Sequence, residues 1–224
     1  MDEETHAAGP LPDAAPPSLA DAVGGWLGLA ESSLPAAVFV AVYTANGQDT
    51  RTAAIAAAAL ALVLAVARIA RRQTPLFALS GVVGVVIAGY VATRTGKAEN
   101  FFLPGLLLNL AYGSAFAVSI VARWPLLGVM VGNITREGNG WRDDPILLRA
   151  YSKASWIWVG LFALRIAVQL PLYLASALVA LGIAKVAMGV PLFVVGIWLS
   201  YLMLRSVGGG PWARREPPPP AAVS

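Results

Sequence analysis

Apolar residues fall into six long runs separated by short polar gaps. The first run, Leu34–Ala45, has only about a dozen residues, against the ~20 that a helical membrane crossing normally needs. It reaches a spanning length only if its helix begins near Trp26 and carries Glu31 near one end. Otherwise it is a re-entrant or interfacial piece. The turn sequence Asn46-Gly47-Gln48-Asp49 closes it. The second run, 52–70, is Ala/Leu/Val-rich and reads as a spanning helix, with Arg68 near enough to its end to snorkel. Pro75 opens the third, 75–93, and the fourth covers 100–122.

Residues 123–153 form the longest connection. Its apolar stretch 124–131 is too short to span, and 145–153 reads as the first turns of a helix that continues through the fifth run, 154–176. The sixth covers 183–206. No run shows strand alternation, so the pattern predicts an all-α polytopic transmembrane helix bundle with six hydrophobic helices, five or six of them spanning. Residues 32–207 form that helical domain. Residues 1–17 are expected to be a disordered acidic Pro/Ala-rich tail, 18–31 an amphipathic lead-in helix, and 208–224 a disordered Gly/Pro-rich tail.

Composition agrees with a lipid-facing chain. Of 224 residues, 58% are hydrophobic and 12% charged, where soluble domains average about 25% charged. With no Cys, disulfides, thiolate metal sites and Cys nucleophiles are excluded. The net charge of +4 conceals an asymmetry. Six acids and no Lys or Arg precede residue 32, whereas sixteen basic and six acidic residues follow. The basic residues sit in gaps between apolar runs, a pattern of loops beside an anionic membrane surface and not of a nucleic-acid interface.

With six spans, the gaps after the second, fourth and sixth hold eleven Lys and Arg and the alternate gaps hold four. That imbalance puts both termini in the cytoplasm, as a multi-pass protein of the cytoplasmic membrane. If the first run does not span, only the N-terminus moves outward. The acidic start does not match a secretory signal peptide.

Within the spans, the chemistry is sparse. Arg165 lies near the middle of the fifth run, with Gln169 one turn on along the same face. A central Arg costs about 2.5–3.5 kcal/mol on insertion scales, so it should face the bundle interior or a wet cavity. Its candidate partners are Gln169, Asn109, the hydroxyls of Tyr112 and Ser114, free carbonyls near Pro171, or a lipid phosphate. Lys185 is a second cation, near the start of the sixth run. Arg165, Gln169, Asn109 and Lys185 therefore form a candidate intramembrane polar site, which either holds an anionic ligand or is a fixed structural cation in contact with lipid headgroups. Small residues at four-residue spacing predict helix packing: Ser80, Gly84 and Ala88 on one face, Gly105, Gly113 and Ala117 on another, Gly196 and Ser200 on a third.

No span contains Asp, Glu or His, and no metalloprotease, nucleophile-elbow or P-loop motif occurs. The pair Asp143-Asp144 reads as a helix N-terminal charge and not as a metal site. The expectation is a protein that is not an enzyme, without cofactor or metal, whose partners are membrane lipids, other membrane proteins or a second copy of itself.

Two stretches carry a resemblance: ENFFLPGLLLNLAYGSAFAVSIVARWPLLGVMVG (99–132) and WRDDPILLRAYSKASWIWVGLFALRIAVQLPLYL (141–174). They look like an actinobacterial integral membrane protein family defined by a domain of unknown function, over roughly residues 33–206. More remotely the layout resembles the intracellular septation protein A family. The similar features are the run from Pro35 to Tyr43, the step from Glu99 to Phe102, the lead-in with Trp141, Arg142 and Leu148, and Lys185 with Gly189. That family has an acid-Phe-Ile-Lys pattern where this chain has Asn100-Phe101-Phe102-Leu103-Pro104. The resemblance implies a non-enzymatic envelope or cell-division scaffold. The residues themselves offer the alternative of a small transporter or lipid-handling protein built around Arg165.

Overall fold

The computed structural model describes residues 33–71, 75–134 and 138–207. The acidic head, the lead-in helix and the C-terminal tail predicted above lie outside these residues. Among the described residues every regular element is helical: α1 (Leu34–Ala45), α2 (Thr50–Ala70), α3 (Pro75–Thr95), α4 (Leu103–Val121), α5 (Leu126–Ile134), α6 (Pro145–Leu174), α7 (Leu178–Ala187) and α8 (Val190–Arg205). Short 3-10 turns, Ala98–Phe101 and Gly140–Arg142, precede α4 and α6.

Local chemistry sets the boundaries. Pro lies in the first turn of α1, α4, α6 and α8, where its missing N–H costs nothing. Gly47 and Gln48, with φ of 62° and 66°, make the turn between α1 and α2. Asp144 caps α6 by accepting the Ile146 amide at 2.7 Å, the role expected of the acid pair.

Asp49 caps α2. Its carboxylate accepts the amides of Arg51 at 3.0 Å and Thr52 at 3.3 Å, and also the Thr52 hydroxyl. The Thr52 hydroxyl first, then the Arg51 amide, hold the Asp49 carboxyl below its ordinary value. A depressed folded-state pKa gives stability that is complete above the ordinary value and is lost as pH falls through the lowered one. Asp49→Ala is therefore expected to lower the melting temperature at neutral pH. It should change nothing once acid has protonated the wild-type cap. Thermal denaturation at both pH values checks this.

Five spans are long and apolar enough to cross a membrane: α2, α3, α4, α6, and α7 with α8 in succession. Their outward faces are apolar; Ile55, Val63 and Val118 are each more than 60% exposed. Such a surface suits hydrocarbon and not water. The protein is a multi-pass, all-α membrane bundle. The first run settles as a half-length helix. The 12 residues of α1 cover about 18 Å at 1.5 Å per residue, against a hydrocarbon core of about 30 Å. The sixth run, expected as one helix over 183–206, is two. It begins at Leu178 and breaks at Met188-Gly189.

Two cores hold the bundle. At one end, α1, the start of α2, the end of α3 and α7 surround Phe39, Ala57, Phe101, Phe102 and Leu181. Phe39 and Phe101 stack with centroids 4.0 Å apart. At the other end, which carries Arg68, Arg71 and Arg205, α4, α5, α6 and α8 enclose Phe116, Trp141, Tyr151 and Leu204. α6 contributes to both cores.

The packing glycines partly differ from expectation. Gly113 lets Phe162 of α6 approach, a Cβ there falling 3.2 Å from the Phe162 Cβ, and the half-buried Ala117 lies one turn further on. Gly196 likewise admits Leu161 and Trp158. Ser80 and Gly84, however, are exposed, and a Cβ at Gly84 would meet nothing within 4 Å. The closely packed face of α3 runs through buried Ala88 and Ala92, and a Cβ added at Gly89 would fall 3.1 Å from the Ala54 Cβ. The reason is that α2 offers a column of buried alanines (Ala53, Ala54, Ala57, Ala61, Ala65), and α3 turns its own small residues opposite that column. Gly105 serves neither helix pair; it forms the wall of a cavity.

Candidate intramembrane anion site

The four residues picked out from the sequence line one cavity of about 170 Å³, together with Ser33, Phe102, Gly105, Met188 and Gly189. Its walls come from α4, α6 and α7, from Ser33 just before α1, and from the α7–α8 break. Arg165 is nine residues from the end of α6, and Gly189 eleven from the start of α7. At 1.5 Å per residue those offsets are about 14 and 16 Å, half the thickness of a hydrocarbon core of about 30 Å.

Arg165 Nη2 donates to the Gly189 carbonyl at 2.8 Å. Its partner is thus the Gly189 carbonyl at the α7–α8 break, which also accepts the Phe193 amide at 3.3 Å, and not one near Pro171. The Tyr112 and Ser114 hydroxyls do not pair with it either. The Arg165 Nε is buried without a hydrogen-bond acceptor. Lys185 Nζ lies 5.3 Å from the Phe102 ring centroid. A Cβ added at Gly105 would come within 3.7 Å of that ammonium, so Gly105 leaves it room. Asn109 Nδ2 donates to the Gly105 carbonyl of its own helix at 3.0 Å. Gln169 is only 5% exposed, faces the cavity, and has no hydrogen bond to any described residue.

Two residues that the sequence reading did not assign to the site, Ser33 and Gly189, complete it. Ser33 precedes α1 and Gly189 precedes α8, and each is followed two positions later by a proline, Pro35 and Pro191. Both helices therefore begin at the cavity. Their first amides lack intrahelical acceptors, and the positive ends of their dipoles point at the same space. Ser33 Oγ is 3.3 Å from the position of a Cβ on Gly189, so the two helix starts nearly touch. The usable signal was a Gly-x-Pro interruption inside an otherwise apolar run, the pattern of a discontinuous membrane helix.

Among the described residues the lining thus holds a guanidinium, an ammonium, two side-chain amides, one hydroxyl and two helix N-termini, and no carboxylate. Such a set attracts an anion and supplies donors to several of its oxygens. It lacks the acid or imidazole with which a proton would be moved. Among the described residues no group of His, Cys, Asp and Glu is placed to hold a metal.

Neither a curated protein nor a solved structure matches the chain. A family model described as "Protein of unknown function (DUF3159)" matches residues 23–209. That match does not extend to septation proteins or to an actinobacterial origin. It covers every helix that forms the cavity, and the chain belongs to this family of unknown function.

Proposed function

We propose that the protein is a binder, not an enzyme, that admits and holds an anionic group at mid-bilayer depth, as a small transporter or lipid-handling protein. The observation that carries this is the meeting of Arg165 and Lys185 in one cavity with no carboxylate among the described residues of its wall. Two cations held in hydrocarbon without counter-charge are costly, and an anionic ligand supplies that counter-charge. The excess of Lys and Arg at one end supports a cytoplasmic-membrane protein with that end, and the C-terminus, in the cytoplasm. An envelope or cell-division scaffold, with membrane-protein partners or a homo-oligomer, takes second place. A scaffold has no use for two cations turned into a common cavity.

Because the chain has no cysteine, the test can be made on Gln169→Cys as a single thiol. A sulfonate-bearing thiol reagent should label it faster than an ammonium-bearing one of similar size by at least about tenfold, the scale of one partly shielded charge at cavity range. Lys185→Gln in the same background should erase most of that preference. No labelling by either reagent, or faster labelling by the cationic one, overturns the proposal.

A further inference from the structure

The anion cavity does not end at Arg165. A second cavity of about 300 Å³ shares Gly105, Asn109 and Arg165 with it and runs on between α4, α6 and α8. Its remaining walls are apolar and aromatic: Leu108 and Tyr112 of α4, Trp158 and Phe162 of α6, and Phe193 of α8 among them. The walls are held in place. Trp158 Nε1 donates to Ser200 Oγ at 3.1 Å, Phe193 meets the Trp158 ring edge-on at 5.2 Å, and Tyr112 lies 5.8 Å from Phe162. Leu108 and Tyr112 are 53% and 54% exposed, so the trough opens sideways, on the face turned to lipid.

Resting on the anion-site reading above, we propose that the ligand is an amphiphile, a lipid phosphomonoester. Its head lies between Arg165 and Lys185, and its hydrocarbon tail lies along the trough towards the bilayer. Charge selects the head. A phosphomonoester carries about −1.5 to −2 near neutral pH and several acceptor oxygens, matching two cations and the donors of Gln169 and of the two helix starts. A carboxylate would leave one cation unbalanced. The tail follows from the trough, which offers hydrocarbon contact and nothing to a free anion.

The seat of the head does not rest on helix termini alone. Gln169 is only 5% exposed, lines the cavity and makes no hydrogen bond to a described residue, so its amide is available to donate to a ligand there.

The experiment is native mass spectrometry of the full chain in neutral detergent. The probes are phosphatidic acid, phosphatidylcholine of the same acyl chains, and inorganic phosphate. One phosphatidic acid per chain should be retained at least about tenfold more tightly than phosphatidylcholine. Lys185→Gln should reduce that retention about tenfold. Leu108→Trp, placed at the exposed rim where folding tolerates it, should fill the mouth of the trough. It should weaken phosphatidic acid binding by a similar factor and leave the anion-preferring labelling of Gln169→Cys intact.

Phosphatidic acid bound no better than phosphatidylcholine overturns the inference. So does inorganic phosphate protecting Gln169→Cys at the same concentration as phosphatidic acid, or a Leu108→Trp chain that binds like wild type. If the labelling preference persists through such a result, the amphiphile is wrong and the anion site stands. If the preference is absent, both fall.

Discussion

Arg165→Leu is expected to fold and melt close to or above wild type while losing the preference of the cavity for anions. Two opposing terms of similar size give this result. Removing a guanidinium from mid-bilayer recovers about 2.5–3.5 kcal/mol on insertion scales. Against it stands the charged hydrogen bond to the Gly189 carbonyl, a class worth about 1.5–3 kcal/mol. The buried, unpartnered Nε adds a further cost to the wild-type chain that leucine removes. The two terms leave between about 0.5 kcal/mol lost and about 2 kcal/mol gained, so the variant should melt close to or above wild type.

Binding has no such compensation, because leucine offers an anion nothing. Arg165→Lys should fall between. It keeps the charge, but a point ammonium lacks the planar fork that reaches Gly189 and the ligand together. Melting curves in detergent and the labelling ratio at Gln169→Cys measure the two effects separately. An Arg165→Leu chain that fails to accumulate would make the residue a structural clamp on the α7–α8 break. One that keeps full anion preference would remove Arg165 from the site.

The largest stability loss is expected at Gly132→Ala, in a helix far from the cavity. A Cβ there would stand 2.2 Å from the Gly138 carbonyl oxygen and 3.1 Å from Trp141 Nε1. The obstacle is backbone, held by the Gly138 amide bonding back to the Gly132 carbonyl at 3.2 Å and by the positive φ of Gly138, 65°. Relief requires the loop to move, and with it Trp141, which is 6% exposed and edge-on to Tyr151 in the second core. Overpacking of this kind costs about 1–3 kcal/mol or more, beyond the gain of up to about 1 kcal/mol that Ala brings over Gly in a helix. Gly84→Ala is the matched control. It meets nothing within 4 Å, so only the propensity gain remains, and its melting temperature should hold or rise.

The helical architecture and the members of the site were legible for one reason. An uninterrupted apolar run forces internal hydrogen bonding, and a charge inside such a run is too costly to be incidental. That logic isolated Arg165, Gln169, Asn109 and Lys185 individually, and their convergence on one cavity is tertiary information. Helix breaks are harder to read. Apolarity is continuous from Leu178 to Leu204 apart from Lys185, Ser200 and Tyr201, so hydropathy sees one helix. Only the Gly189-Val190-Pro191 step marks the restart of α8. The extent of α1 was ambiguous for the opposite reason, because its apolar run is short and any extension towards Trp26 must carry Glu31, and its role depends on Ser33 arriving beside Gly189. The stripe of Ser80 and Gly84 shows the converse error. Small residues at four-residue spacing pack only if a partner helix lies on that face, and α2 lies on the neighbouring one.

The length of α6 has one more consequence. Thirty residues make a rod of about 45 Å, some 15 Å longer than a typical hydrocarbon slab, while α2 and α3, at 21 residues each, match that slab closely. The surplus lies at the Asp144 end, where Arg149 and Lys153 reach the headgroup zone. A thicker bilayer can therefore draw more of α6 into its interior without stretching it, whereas α2 and α3 have no reserve. Hydrophobic mismatch would therefore load α6, which lines the cavity, differently from α2 and α3, which do not.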